Sequence, residues 1–314
     1  HTAVLCSYET NEIIFSIVIC RTVKMSIQHG LCSTSAVAFS LYGALLTCPI
    51  LADFEEAYKM GRLALRAIDI LDAFMFKHQV FLFFYGSIAL CKDPLQASVP
   101  KLLEGYKAGF ALGDMESVTA YLQLYAGMAV WGCGDKLTRA GEIVRLHAKR
   151  MLQHKQVVSC KNILIHLQQA TELIGLNEDV YSTFFNISEE EFFHQEMNCR
   201  GANSRKLILH TCRMYLAVMR GNMELAAREY ESNGAEYQGG IRFIGTITRV
   251  FLAGLVGFFV ARKQTSDVEK WIHVGVRSMD TMKSWTEDSS WNYEHRLFLL
   301  EAEYYFFKGD KHEH

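Results

Sequence analysis

The sequence predicts an all-α chain organised as a solenoid of antiparallel helix pairs, and three observations predict it. Strand signals are nearly absent, since few β-branched runs alternate with polar residues and no hairpin turn links two such runs. A helical apolar period recurs instead, broken at short intervals by turns. At Gly113-Asp114, Gly221-Asn222 and Gly309-Asp310 a Gly supplies the left-handed residue that stops one helix, and Asp or Asn caps the next. The third observation is an internal echo. Ala57-Tyr58-Lys59-Met60-Gly61 resembles Gly105-Tyr106-Lys107-Ala108-Gly109, and such self-similarity marks a repeat array. A Tyr one turn before a Gly is a knob beside a hole, which lets a second helix approach closely.

In chain order, the period predicts a weak helix near 11–24 and then helices over 31–47, 53–71, 75–91, 95–112, 114–131, 136–154 and 156–175. The segment 53–71 is representative. Asp53 is placed to cap, Glu55 and Glu56 lie in the first turn where the helix dipole favours them, and Ala57, Gly61, Ala64, Leu65, Ile68 and Leu71 form one apolar stripe. Helices of this length are marginal alone and need that stripe buried. Between Asn177 and Ser204 the rhythm breaks. Six carboxylates precede the first cation, Arg200, and Tyr181, Phe184, Phe185, Phe192 and Phe193 interleave them. This reads as an acidic, aromatic insertion with a short helix after a Ser188 cap: a solvated loop pinned by its aromatics or, alternatively, a docking patch for a basic partner. Helices resume over 205–220, 222–233, 239–262, 266–283 and 290–308. The organisation expected is an N-terminal segment of a cut fragment over 1–30, repeats over 31–176, the insertion over 177–204, and repeats over 205–314, the last one truncated.

Composition narrows the function. The chain has 314 residues, half of them apolar, with 32 Lys and Arg against 34 Asp and Glu, so no global field exists to hold a phosphate backbone and nucleic acid is not an expected partner. Nine scattered cysteines without a C-x-x-C read as reduced thiols and a cytoplasmic setting. The most apolar run, Phe243 to Ala261, carries Arg249, which disfavours insertion in a bilayer, so a buried soluble helix is expected there and no membrane span. His78 to Cys91 is too short to cross.

Searches for chemistry come back thin. No Gly-Lys pair exists for a phosphate loop, and Trp131-Gly132-Cys133-Gly134-Asp135-Lys136 reads as a helix-ending turn. His147, His154, Cys160 and His166 spread over two helices instead of clustering as zinc ligands, and neither H-E-x-x-H nor a G-x-S-x-G elbow nor an Asp-Asp pair occurs. No catalytic, cofactor or metal residue is therefore expected. One local field stands out: Lys136, Arg139, Arg145, Lys149, Arg150, Lys155 and Lys161 face a single Glu142. A basic amphipathic helix binds acidic partners or stays solvated, here with the acidic insertion as its complement. Arg139, Arg145, Lys149 and Arg150 are candidate partner-binding residues. Tyr121 and Tyr125 join them as aromatics of a concave face, with Trp131 and Tyr215 behind them; at helical spacing the alternative for all four is core.

Several stretches resemble a known family. Gly43-Ala44-Leu45-Leu46 followed by Asp53-Phe54-Glu55-Glu56-Ala57-Tyr58-Lys59-Met60-Gly61 is similar to a helix pair in large multidomain signalling ATPases. In these a TPR-like helical region joins a protein-kinase-like domain and a STAND-type AAA ATPase to a sensor histidine kinase. The likeness continues in Leu102-Leu103-Glu104-Gly105-Tyr106, in the Gly132–Leu137 turn, and in Asn292-Tyr293-Glu294-His295-Arg296. It implies a TPR-like α-solenoid, itself non-catalytic, that acts as scaffold or regulatory arm and binds other domains of its parent chain or a signalling partner. None of the family's nucleotide or phospho-acceptor motifs is present. Two alternatives stay open: an all-helical enzyme with an unrecognised site, and a membrane-associated helical protein.

Overall fold

The computed structural model describes residues 12–47, 51, 53–132, 135–199, 203–232, 242–263 and 267–309. Helix accounts for 85% of them, and no strand occurs among the described residues. The chain is all-α. By packing it divides into two compact units, His1–Lys206 with Gly239–Ile244, and Leu207–Gln238 with Gly245–His314.

The first unit begins with α1 (Glu12–His29), α2 (Ser35–Leu46) and α3 (Phe54–Ile70). Asp53 caps α3 as its sequence predicts, accepting the Glu56 N–H at 3.0 Å, and the face bearing Ala57, Gly61, Ala64 and Ile68 is buried. The single helix expected over 75–91 is instead three pieces: a 3-10 turn Phe74–Phe76, α4 (Lys77–Gly86) and a 3-10 turn Ile88–Cys91. The break follows Gly86, which packs so closely that a Cβ there would lie 2.6 Å from Leu124 Cδ1. The next residue, Ser87, turns its hydroxyl to Thr47. Then come α5 (Leu95–Ala111), α6 (Met115–Trp131), α7 (Leu137–Gln153) and α8 (Val157–Ile174).

Packing follows a fixed register. Helices α2, α4, α6 and α8 touch in succession, and each also packs on a neighbour in sequence, α2 on α3, α4 on α5, α6 on α7 and α8 on α7. Of the two echoed glycines, Gly61 lies where helices meet closely, facing Phe84 and Ile88, whereas Gly109 meets His78 and Val118 only at an ordinary 3.5 Å. The tighter approach in the second stretch is at Gly105, the counterpart of Ala57, where a Cβ would fall 2.1 Å from the Tyr121 hydroxyl. The echoed tyrosines each reach past the next turn, Tyr58 to Asp93 at 3.0 Å and Tyr106 to His147 Nδ1.

The insertion holds α9 (Val180–Phe185), capped by Asp179, and α10 (Glu189–Asn198), capped by Ser188 through the Glu191 N–H. Tyr181 and Phe192 stack at 4.0 Å and are buried, which pins the segment. Residues 200–202 of the expected insertion, the Cys133-Gly134 half of the glycine turn, Asp310 and the last four residues lie outside the described residues.

The chain continues with α11 (Asn203–Met219), α12 (Met223–Ser232), α13 (Ile244–Lys263), α14 (Val268–Asp288) and α15 (Ser290–Lys308). The second unit has its own core of Met214, Ala226, Leu252, Val256, Val260 and Trp271. Gly257 and Gly275 let α13 meet α14 backbone to backbone, a Cβ on Gly257 lying 2.8 Å from the Gly275 nitrogen. Gly113, Gly221 and Gly309 all take positive φ, between +69° and +74°, and Asp114 and Asn222 then cap α6 and α12.

Candidate interaction surface

The basic stretch is centred on α7. Its apolar stripe of Ala140, Gly141, Val144, Ala148 and Met151 is buried, so Arg139, Leu146, Lys149 and Arg150 share the outer, exposed face. Arg139 stands 3.9 Å from the Asp135 carboxylate. Arg145 is engaged differently: its two guanidinium nitrogens donate to the two Glu178 oxygens, each at 2.8 Å, and that fork holds the Glu178 carboxyl below its usual range. Lys161, further along the same stretch, donates to Glu196 at 2.9 Å. The acidic insertion thus complements part of the basic stretch from within. On α7 itself the exposed cations are Arg139, Lys149 and Arg150, beside the exposed Leu146 and Glu142, and Lys136 and Lys155 are exposed at its two ends. Beneath them His147 is pushed down to about 4 by burial and by the neighbouring Arg150 charge, so at neutral pH it is uncharged. Its Nδ1 is hydrogen-bonded to the Tyr106 hydroxyl.

Tyr121 and Tyr125 do not belong to a surface. Both are buried, at 0% and 1% exposure, as is Trp131, while Tyr215 is half-buried. The reason is that α6 is enclosed by α4, α5, α7 and α8, so the face expected to look outward is covered as well. Tyr121 fills the space left by Gly105 and donates to the His78 carbonyl. Tyr125 donates to Asp135 at 2.9 Å, and burial, reinforced by that carboxylate, raises its phenol pKa. The glycine at 105 was the available signal, because a glycine on a buried helix face often marks where a bulky side chain lands.

The pairings of three carboxylates, the buried Glu196 and Glu229 and the half-buried cap Asp114, escaped sequence reasoning. Asp114 accepts from His78 Nε2 at 2.8 Å, from Gln79 and from Ser117, and the His78 bond above all holds its pKa well below the usual range against the pull of burial. Glu196, expected in a solvated acidic loop, is 2% exposed between Lys161 and Arg205, with Asn162 bonded to the same Arg205. Burial would raise its pKa, but those two donors outweigh it and lower it. In the second unit Glu229 lies between His210 Nδ1 at 2.7 Å and Arg213 Nε at 2.8 Å, lowered in the same way. Apart from Ser117, three positions from Asp114, the named carboxylate partners lie 9 to 36 positions away along the chain, so no short motif announces them.

Each carboxylate accepts several hydrogen bonds from its neighbours, which makes these groups polar staples between helices. Among the described residues no three of His, Cys, Asp and Glu are grouped to hold a metal ion, and His147, His154, Cys160 and His166 form no such cluster. The six described cysteines, Cys20, Cys32, Cys91, Cys160, Cys199 and Cys212, are thiols. Two segments, Phe74–Cys91 and Ile244–Lys263, are long and apolar enough to cross a membrane by length and composition. The first includes residues ahead of His78 and reaches 18. Most of each is buried inside the protein. Compared with known proteins, the chain matches no family model, no curated protein and no solved structure.

Proposed function

We propose that this chain is a TPR-like α-solenoid and serves, without catalysis of its own, as a scaffold or regulatory arm. It mediates contacts between proteins, or between domains of a cytoplasmic signalling ATPase or kinase. The observation that carries this reading is the packing register of the first unit. The succession α2–α4–α6–α8, with α3, α5 and α7 paired against it, is the arrangement expected when helix pairs stack and each hides its apolar face on the next. The resemblance of the Asp53–Gly61 and Leu102–Tyr106 stretches to the helical region of the signalling ATPases supplies the biological setting. The outer face of α7, with Arg139, Lys149 and Arg150, is the surface offered to an acidic partner.

The test has two parts. Coding sequence on either side of this chain is expected to encode a nucleotide-binding domain before it and a sensor or kinase module after it. Neither being present removes the signalling assignment. In that parent protein, reversing Arg139, Lys149 and Arg150 to Glu is expected to change the ATP hydrolysis rate several-fold while leaving the melting temperature in place. An unchanged rate makes the α7 face solvated surface only. A membrane-associated reading is favoured by Phe74–Cys91 and Ile244–Lys263, and partition of the expressed chain into detergent alone would establish it instead.

A further inference from the structure

In the first unit the C-terminal ends of α3, α5 and α7 lie on one edge, each joined there by a short turn to the start of α4, α6 or α8. His78, in the first turn of α4, bonds to Asp114, the cap of α6, and a Cβ on Gly109 would lie 3.5 Å from the same imidazole. Tyr106, in the last turns of α5, reaches His147 on α7, with the Arg150 charge beside its phenol. The three turns are therefore neighbours in a row.

They are also built alike. Asp72, Gly113 and Lys155 take positive φ, 48°, 74° and 58° respectively. The N–H of the residue that follows each donates five positions back, Ala73 to Ile68, Asp114 to Gly109 and Gln156 to Met151. That closure satisfies carbonyls which a helix end otherwise leaves to water. The side chains around it are apolar: Ile70, Phe74, Met75, Leu112 and Val158 are each more than half exposed, and Val157 nearly so. The opposite edge differs. Among the described residues of the α2–α3, α4–α5 and α6–α7 connections, Leu51 is the one exposed large apolar side chain.

Charge is graded along the row. The exposed acids, Asp69, Asp72 and Glu116, sit at the first two turns, which also carry Arg66 and Lys107. At the third turn Lys149, Arg150 and Lys155 are exposed, and no acid occurs between Glu142 and Glu172. Separate apolar knobs would require a matching series of holes in a folded partner, whereas a bilayer interface yields to each of them. Knobs whose backbone groups are already paired enter that interface without unmet hydrogen bonds, and cations beside them attract anionic headgroups.

We propose that the α3–α4, α5–α6 and α7–α8 turns form a membrane-docking edge, which seats the first unit on an anionic bilayer surface without crossing it. The apolar tips enter the boundary between headgroups and acyl chains, and Lys149, Arg150 and Lys155 pair with lipid phosphate and carboxylate groups. This goes beyond the scaffold reading. It uses the same stacked register but no parent ATPase, so vesicle binding and the ATPase assay fail separately.

The purified full chain is floated with vesicles of phosphatidylcholine alone or of equal parts phosphatidylcholine and phosphatidylserine. Co-flotation with the anionic vesicles, little with the neutral ones, and release by alkaline carbonate are expected. Lys149→Glu with Lys155→Glu, and separately Phe74→Ser with Leu112→Ser, are each expected to weaken binding about ten-fold or more at unchanged melting temperature. Should either pair unfold, Phe74→Trp and Leu51→Trp report on position alone, read by difference from the unsubstituted chain. The indole at 74 is expected to shift its emission to the blue on addition of anionic vesicles, and the one at 51 to keep its emission. No flotation, equal flotation with neutral vesicles, or equal shifts at 74 and 51 would overturn the proposal. So would binding of soluble poly-glutamate in place of vesicles, which would give the cations to an acidic protein. Retention after the carbonate wash would overturn it too, by marking a spanning helix.

Discussion

His166 sits in the core of α8, with the Trp131 ring edge-on at 5.1 Å, and burial pushes its imidazole down to about 4 against a small opposing bond from Gln169. In the unfolded chain a histidine titrates near 6.5. The folded value is the lower one, so the stabilisation is complete above about pH 6.5 and is lost as pH falls toward 4, by roughly 3 kcal/mol at the end of that window. Urea unfolding at pH 7.5, 5.5 and 4.5 is expected to show this decline together with a similar one from His147, also pushed down to about 4, so His166→Phe is expected to flatten about half of the total. An undiminished decline in the variant would place its source elsewhere. Asp114, Glu196 and Glu229 act below that window. Their folded pKa values are depressed, so their contribution holds above about pH 4 and disappears as the carboxylates protonate in acid. Glu196 offers the sharpest single substitution. Glu196→Gln leaves Lys161 and Arg205 without their shared counter-charge and is expected to cost about 3 kcal/mol, read as a lower urea midpoint at unchanged slope.

At the level of helices, glycines separate close packing from mere flexibility. Gly257→Ala would drive a Cβ to 2.8 Å from backbone atoms of α14, which have no rotamer to give way, and is expected to cost at least 2 kcal/mol. Gly141 is also helical and buried, but a Cβ there meets only Leu167 Cδ1 at 3.8 Å, an ordinary contact. Gly141→Ala is expected to stabilise by about 0.5–1 kcal/mol, because alanine loses less backbone freedom on folding. Thermal melts of the two variants with opposite shifts would support this account, and shifts of one sign would refute it. The same contrast explains what the sequence discloses. Helices read clearly because caps and glycine stops are local chemistry, as at Asp53, Gly113-Asp114 and Ser188. The division of 75–91 did not, since the break after Gly86 depends on Leu124 and on the Thr47 hydroxyl, both distant along the chain. Tyr121 and Tyr125 misread for a related reason: helical periodicity says which side chains share a face, and only neighbours decide whether a second face is covered too.

Across the whole molecule the question is where apolar surface ends up. The two most apolar segments, Phe74–Cys91 and Ile244–Lys263, turn most of their side chains inward. The buried contacts of Arg242 with Thr47 and Cys91 were invisible in the sequence because they join positions 195 and 151 residues apart. The basic face of α7 was legible because it is a run of one charge on one helix. Among the helices that stay greasy outside are α1, with Ile14, Ile17, Met25 and Ile27 exposed, and α15. Tyr293, Leu297 and Leu300 face the core of the second unit, yet on the opposite arc Trp291, Phe298 and Tyr305 recur at seven-residue spacing, flanked by exposed Leu299 and Phe306. A helix apolar on two faces is usually covered on both, and exposed apolar patches promote dye binding and association. Leu300→Ala, which empties the contact with Gly254, is expected to cost about 2–5 kcal/mol. Phe298→Ser combined with Tyr305→Ser removes more apolar area but only from the outer arc. That pair is expected to change stability by no more than about 0.5 kcal/mol while reducing the binding of a hydrophobic dye and any self-association at high concentration. If the outer pair destabilises the chain as much as Leu300→Ala does, the second face of α15 is already buried in solution.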